Sequence, residues 1–316
     1  MTAIGQSDRR FAPKHRGSGM ERSLKIWGII FLSPWIIGFF AFTFLPMVAS
    51  LLFSFTDFNL LRPNDVQFIG WANYNRLFSD PQVAAASGAT LRYALVALPV
   101  AIFAPIGMAA LLNSHNLVLR RVYTTLFYMP YMVPVVSAVF IWQGFLNPQS
   151  GWLNQFLASI GITGPDWINS VDWIYPALVL ISLWATGNAM LPTLAGMQGV
   201  PTELYEAAKV DGANAWVRFR RITFPMISPV IFYNLILTVI GLFRYFDIPY
   251  ILGRGQGNPG GATNLYNVYI YRNAFTYQDM GYASTLAWVL FVVAMIVTLI
   301  LFVSARFWVY YGGERN

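Results

Sequence analysis

Charge is scarce in this chain. Only 10% of its 316 residues are Asp, Glu, Lys or Arg, whereas a soluble globular domain carries roughly 25%. Together with 57% hydrophobic residues, 17% aromatics and a positive mean hydropathy, this excludes an ordinary water-facing shell and points to an integral membrane protein. Cysteine is absent, so no disulfide framework and no thiolate metal site exists, and the redox compartment carries no mark. There are two histidines, His15 and His115. They are far apart and neither has a second candidate at ligand spacing, which argues against a metal site. No G-x-x-x-x-G-K-[ST] sequence occurs, so the chain has no P-loop.

What the chain does have is long runs without charge. After the basic residues Arg9, Arg10, Lys14, Arg16, Arg22 and Lys25, no charge appears until Asp57. That run is too long for the core of a secretory signal and long enough for a bilayer, which needs about 20 residues. Similar intervals run from Arg92 to Arg120, Arg121 to Asp166, Asp172 to Glu203, Arg221 to Arg244 and Asp279 to Arg306. In the Arg121–Asp166 interval, Gly144, Asn147, Pro148 and Gly151 interrupt the run, and Trp152 to Ile162 is read as a short interfacial helix. The expected fold is therefore all-α with six transmembrane helices, near residues 27–52, 93–112, 122–144, 174–196, 226–246 and 281–309. Residues 1–25 form a basic tail and 26–316 the membrane domain.

Threading six spans from an inside N-terminus puts fourteen Lys and Arg on the cytoplasmic side. Six remain outside, Arg62, Arg76, Arg92, Arg244, Arg254 and Arg272. The positive-inside rule thus favours N-in and C-in, and the net charge of +7 reflects cytoplasmic loops and not nucleic-acid binding. Pro34, Pro46, Pro99, Pro105, Pro130, Pro134, Pro176 and Pro192 fall in or beside spans, where neighbouring helices can satisfy the freed backbone groups. Irregular packing explains any one of them; a helix that bends during work is the alternative.

The segment from Pro201 to Pro225 is polar between two apolar spans. Thr202 is placed to cap a helix, with Glu203 and Glu206 near its positive end. Asp211-Gly212 can end that helix and Asn214 open another. On a helix, Leu204, Ala208, Asp211 and Ala215 share a face whose small side chains would let another protein approach closely. Glu206-Ala207-Ala208, Asp211-Gly212-Ala213, Ile222 and Pro225 resemble the EAA loop of binding-protein-dependent ABC importer permeases, in the sugar-transporter branch typified by the maltose permease subunit MalF. Phe224 stands where that family usually has Leu. The Tyr277–Ala283 run is similar to the family's approach to its last helix, so the resemblance covers nearly the whole chain.

The resemblance implies a type I ABC importer transmembrane domain in a prokaryotic inner membrane, a non-catalytic subunit moving a sugar, oligosaccharide or polyol phosphate by alternating access. It implies a second, related permease subunit, two ATPase subunits that hold ATP and Mg with no cofactor in this chain, and an extracytoplasmic solute-binding protein. Glu206, Ala207, Ala208, Asp211, Gly212, Ile222 and Pro225 would couple to the ATPase. The implied solute pathway includes Ser182, Ala185 and Asn188 on the fourth span and Thr238, Gly241 and Leu242 on the fifth. Neutral polar and aromatic groups in the same spans, Trp184, Tyr233, Asn234 and Tyr245 with Ser182, Asn188 and Thr238, suit the amide, hydroxyl and ring-face contacts that bind sugars. Helix packing uses the same residue types.

Other patterns carry less. Gly255-Gln256-Gly257-Asn258-Pro259-Gly260 matches G-x-G-x-x-G, but it follows a span, and Pro259 forbids the helix a dinucleotide site opens; it is read as part of a flexible outer loop, Asp247 to Met280. Asp166 and Asp172 could pass for a glycosidase pair, although solvated loop charges account for them. A proton- or sodium-coupled carrier places an ionisable group near the midplane despite a cost on the order of 3 kcal/mol. Here the nearest is Arg244 at a span end, beside Asp247, which weighs against the rival reading of a stand-alone secondary carrier or channel. A membrane-embedded enzyme would need a cluster of ionisable groups that the spans lack.

Overall fold

The computed structural model describes residues 18–114 and 117–310, with side chains from residue 21 onward. Arg9, Arg10, Lys14, His15, Arg16, His115 and Arg315 lie outside the described residues. The described chain is helical, with isolated β-bridges pairing Thr56 with Phe68 and Asn59 with Asp279, and it divides into two units, residues 1–52 and 53–316.

In the first unit, α1 (Ser18–Phe39) runs through a π turn, Phe40–Phe44, into α2 (Leu45–Phe53). Together they make a 33-residue candidate span, Glu21–Phe53. Pro34 sits inside α1 without ending it.

The second unit contains α3 (Ala72–Ser79), α4 (Pro81–Leu112), α5 (Arg120–Tyr128), α6 (Val135–Phe145), α7 (Trp152–Ser159), α8 (Ile174–Trp184) and α9 (Gly187–Gln198). It continues with α10 (Thr202–Val210), α11 (Ala215–Arg218), α12 (Phe224–Phe243), α13 (Asp247–Leu252), α14 (Tyr266–Tyr271) and α15 (Met280–Trp308). Among the described residues of both units, four helices are long and apolar enough to cross a membrane, Glu21–Phe53 being one, and the number rises to six if two bent pairs each count as one. Central α4 touches α8, α9, α12 and α14, while α12 also packs on α9 and α15. At one end of the unit Leu112, Met197, Val200 and Ile227 form a core. Toward the other end Tyr93, Ile174, Leu178, Leu265 and Val268 form a second, and Leu77, Val83, Tyr266, Tyr282 and Leu286 a third.

Four expectations need correction. The second predicted span begins at Pro81, twelve residues before residue 93, because Asp80 accepts the Gln82 N–H at 2.8 Å and Pro81 supplies the preset first-turn φ; Arg92 is simply an exposed residue of a long helix. The third predicted span, 122–144, is broken by a 101° bend between Met132 and Val135. There Pro134 removes a donor and holds Val133 extended, at ψ 128°. The fourth bends by 55° between α8 and α9.

The segment from Asp247 to Met280 is the fourth correction: it is folded and packed, with Ala262, Thr263, Asn264, Leu265, Tyr266, Val268 and Tyr269 buried. Its apolar residues join the cores, and its glycine run supplies turns. Gly255, Gly257, Gly260 and Gly261 all have positive φ, and a Cβ on Gly257 would lie 2.6 Å from that of Asn264. The short helix expected after Pro148 is present as α7.

The α8–α9 bend depends on a close backbone approach. A Cβ on Gly187 would lie 2.5 Å from the Phe127 carbonyl oxygen of α5 and 2.7 Å from the Tyr128 Cα, backbone atoms that cannot turn aside. Gly144 has open space around it. Gly187→Ala is therefore expected to destabilise the detergent-solubilised protein by about 1–3 kcal/mol, with Gly144→Ala neutral. Thermal unfolding that is equal for both variants would contradict this packing.

Candidate functional site

The polar segment between α9 and α12 is built as a lever. Pro201 occupies the N-cap of α10 with no side-chain cap, so Thr202 is the first helical residue and not the cap the sequence suggested. The helix ends in a Schellman motif: the Ala213 N–H donates to the Ala208 carbonyl at 2.8 Å and the Gly212 N–H to that of Lys209 at 3.0 Å. Gly212 sits at φ +76°, the left-handed position that favours glycine. Asn214 then caps α11, its Oδ1 accepting the Val217 N–H at 2.9 Å.

Because α10 ends at Val210, Asp211 and Ala215 do not share its face. Glu203, Glu206, Ala207 and Val210, at i, i+3, i+4 and i+7, are exposed, whereas Tyr205 and Ala208 are half-buried. Leu204 and Lys209 are exposed as well, so Tyr205 and Ala208 alone mark the side of α10 turned toward the rest of the unit. Tyr205 packs with Phe219 and Ile222 against Met197, Val200 and Ile227, and its hydroxyl pairs with Thr223 Oγ1 at 2.9 Å. From Ala215 the chain stays helical through a π turn, Phe219–Thr223, into α12, where Pro225 sits in the first turn.

A second feature is a cavity of about 220 Å³ between α4, α8 and α12. Ser182, Thr238, Gly241, Leu242 and Tyr245, singled out in the sequence, line it, joined by Tyr93, Ala97, Val100, Ala101, Val179, Leu183 and Thr186. Trp184, Ala185, Asn188 and Asn234 are not among the lining residues. Trp184 stands edge-on to Trp142, centroids 5.9 Å apart. Asn234 Nδ2 donates to Thr193 Oγ1 at 3.0 Å and to the Ala189 carbonyl at 3.2 Å, so it joins α12 to α9. Asn188 and Tyr233 are exposed.

Tyr93 escaped the sequence reading because it lies on the second span, one residue past the Arg92 taken as its boundary. Its ring stacks on Tyr245 at 4.7 Å and 9°. The signal available was its helical spacing to the small residues Ala97 and Ala101.

A third set of polar residues lies at the far end from the lever. Asp80 Oδ2 accepts the hydroxyls of Tyr269 at 2.6 Å and Tyr282 at 2.7 Å. Arg76 stacks on the Tyr282 ring at 3.8 Å and pairs with Asp279 at 2.7 Å, while the Gly281 N–H donates to the Phe58 carbonyl at 2.9 Å. One carboxylate thereby joins the starts of α4 and α15 to α14. Burial alone would raise the Asp80 pKa, but hydrogen bonds from Tyr269, Tyr282 and Gln82 with Arg76 nearby overcome it and hold the group below the usual 3.8. Burial, then donation to Asp80, pushes Tyr269 up to about 12.

Residues 86–312 match the family model of the binding-protein-dependent transport system inner membrane component. The chain belongs to this family. It is a non-catalytic, multi-pass ABC transporter permease of the bacterial inner membrane. The permease is 37% identical to the probable ABC transporter permease protein YesP of Bacillus subtilis, over 92% of this chain and 93% of that one. It is 33% identical to the arabinooligosaccharides transport system permease protein AraP of the same organism, over 86% of each. The crystal structure of a bacterial alginate ABC transporter in complex with an alginate pentasaccharide-bound periplasmic protein aligns with a TM-score of 0.76 at 23% identity, covering 91% of the permease and 96% of that chain. That likeness establishes the fold.

The Asp80 cluster gives the permease a pH signature. A carboxylate with a lowered folded pKa stabilises fully above its unfolded value and loses that contribution as pH falls through the folded one. Tyr269 has a raised pKa, so its contribution is present below pH 10 and lost as pH rises through about 12. Thermal stability in detergent is expected to decline below pH 3.8 from this source, and Asp80→Asn to lower the melting temperature at pH 7 while flattening that acid limb. An unchanged acid limb in the variant would show that Asp80 is not its origin.

Proposed function

We propose that this permease forms half of the translocation pathway for a neutral carbohydrate and that a cytoplasmic loop of about residues 197–225 couples it to an ATPase. A second permease subunit completes the pathway, two ATPase subunits hold ATP and Mg, and the solute arrives on an extracytoplasmic binding protein. The N- and C-termini lie in the cytoplasm, with residues 1–25 as a basic cytoplasmic tail and 26–316 as the membrane domain.

The observation that carries the coupling role is the rigid tie between α10 and α12. The Tyr205–Thr223 hydrogen bond and the shared core of Tyr205, Phe219, Ile222 and Ile227 make a push on α10 a push on the span. Glu206 and Ala207 are free on the exposed face to seat in a partner's cleft, Glu206 against a basic group. Ala208 keeps the helix close to its support, Asp211 and Gly212 make the turn, and Ile222 and Pro225 root the segment in α12. ATP binding moves the pathway by favouring one state over the other, and hydrolysis resets it.

The carbohydrate assignment is supported by the arabinooligosaccharide relative and by the cavity lining. Thr186 and Thr238 offer hydroxyls, the Tyr93 and Tyr245 rings are stacked on each other, and no lining residue is charged. A polyol phosphate would leave its dianion unpaired there, so neutral solutes fit better. The volume, about 220 Å³, falls below the roughly 300–1,000 Å³ of complete ligand pockets, as suits a half-site.

Gly212 tests the coupling. Its surroundings are open, but a side chain at positive φ costs about 1–2 kcal/mol. Gly212→Trp is expected to insert in the membrane, retain little solute transport and lose solute-stimulated ATP hydrolysis; Gly212→Asn, which tolerates the left-handed region, loses less. An ATPase should copurify with the wild type in mild detergent, and thermal-shift screening of the binding protein against sugars identifies the solute. Wild-type transport and hydrolysis in Gly212→Trp would sink the coupling role.

A further inference from the structure

Ser182 is a fully used hydroxyl at the meeting point of three helices. Its one proton goes to the Leu178 carbonyl of its own helix, at 2.9 Å. Its oxygen then serves as acceptor for the hydroxyls of Tyr93 on α4, at 3.2 Å, and of Tyr245 just past α12, at 3.1 Å. A serine hydroxyl offers one donor and two acceptor sites, so all three are filled. The two tyrosine rings lie face to face at 4.7 Å and 9°, and Tyr93 is only 2% exposed.

The position of this group matters as much as its chemistry. Along α4 the cavity-lining residues Ala97, Val100 and Ala101 follow Tyr93 in the direction of Leu112. Along α12, which runs the opposite way, Thr238 and Gly241 precede Tyr245. Both helices therefore put their tyrosine at the same end of the cavity. Beyond the pair, Leu252, Leu265 and Val268 of the packed 247–280 segment fill the space in the same core, with Phe246 packed against them.

We propose that Tyr93, Ser182 and Tyr245 form a latch that closes the cavity toward the 247–280 side, and that it parts each time solute crosses that boundary. This rests on the transport role proposed above. While the stack is in place it covers this end of the cavity, with the packed core of the 247–280 segment behind it, so both must shift for solute to cross. Two neutral hydrogen bonds on a single acceptor make a closure that is specific yet weak, suited to being opened by motion of α12. The shared oxygen also makes the three side chains one unit: removing it loosens both tyrosines together, although their hydroxyls still interact with each other and their rings stay stacked.

Two measurements on the full transporter test this. In proteoliposomes, ATP hydrolysis without binding protein should rise roughly fivefold in Tyr93→Phe, which keeps the ring and loses one bond, because the open state becomes easier to reach. Ser182→Ala should raise it by no more than the Tyr93→Phe/Tyr245→Phe double variant does, and adding it to that double should change nothing further.

The chain has no cysteine, so Ala101→Cys gives a single site beneath the latch. A membrane-impermeant maleimide applied to intact cells from the 247–280 side should label it slowly with the latch intact and several-fold faster with Tyr93→Phe. This labelling needs no ATPase. Unchanged labelling and unchanged basal hydrolysis, or loss of all activity in proportion to lost thermal stability, would overturn the latch and leave a packing role. A wild type that neither holds an ATPase nor responds to loaded binding protein, while Tyr93→Phe still speeds labelling, would count against the transport role and not the latch.

Discussion

In the hydrocarbon core of a bilayer no water is available for a backbone N–H or C=O, so each must be satisfied inside the protein. This constraint governs where the permease can bend. Its sharpest break, the 101° turn between α5 and α6, opens on a 3-10 turn, Met129–Met132, that closes on itself with the Val133 N–H donating to the Pro130 carbonyl at 3.1 Å. At the α8–α9 bend the Ala185 and Thr186 N–H groups find the carbonyls of Ser182 and Leu183. Gly187 there lets the α5 backbone press against the turn. Irregular backbone inside the unit is either hydrogen-bonded locally or packed on a neighbour.

The same constraint explains how the helices are tied. Apolar contact alone gives little preference for one helix partner over lipid, so polar side chains and close packing carry the specificity. Each tie here uses a polar group with more than one partner. Ser182 joins α4, α8 and the end of α12. Asn234 joins α12 to α9. Outside the spans, Asn154 of α7 donates to the carbonyls of Pro148 and Pro165 and accepts the Trp167 indole N–H at 2.7 Å, fastening the short helix to its loop. Asp80 does the same for α14 and α15.

Sequence revealed what depends on local chemistry and on charge. The runs without Lys, Arg, Asp or Glu located all six helical regions, and Asp211-Gly212 with Asn214 gave the turn and the second cap of the lever, because glycine at positive φ and an Asn N-cap act within a few residues. Distance hid the rest. Val133-Pro134 announced a break, but its angle depends on what α5 and α6 pack against. The start of α4 was available in Asp80-Pro81, an N-cap and first-turn pair, and was missed because Arg92 was taken as a membrane boundary. The 247–280 segment looked like a glycine-rich loop; its burial rests on Leu265, Val268 and Tyr266 reaching partners more than a hundred residues earlier. Ser182, Thr238, Gly241, Leu242 and Tyr245 come together around one cavity while Asn234 joins α12 to α9, a difference hidden in the sequence because a buried amide serves packing or solute equally well until its partners are seen.

The lever and the cavity are joined by one element. From Ala215, at the root of the lever, to Tyr245 at the cavity's far end is thirty residues of nearly continuous helix, about 45 Å at 1.5 Å per residue. A helix this long transmits a tilt, and two features decide where it yields. The π turn at Phe219–Thr223 carries a surplus residue, and Pro229 lacks the N–H that would stiffen the next turn. Both lie on the lever side of Thr238, whereas between Thr238 and Phe243 α12 has no proline. Under the coupling role proposed above, motion entering at α10 would bend α12 near its base and reach the cavity as a rigid displacement of the segment bearing Thr238, Gly241 and Leu242, with Tyr245 at its end. A displacement of that kind changes the distance between Tyr245 and Ser182, which sits on a helix with its own bend at Ala185, more readily than it deforms either helix.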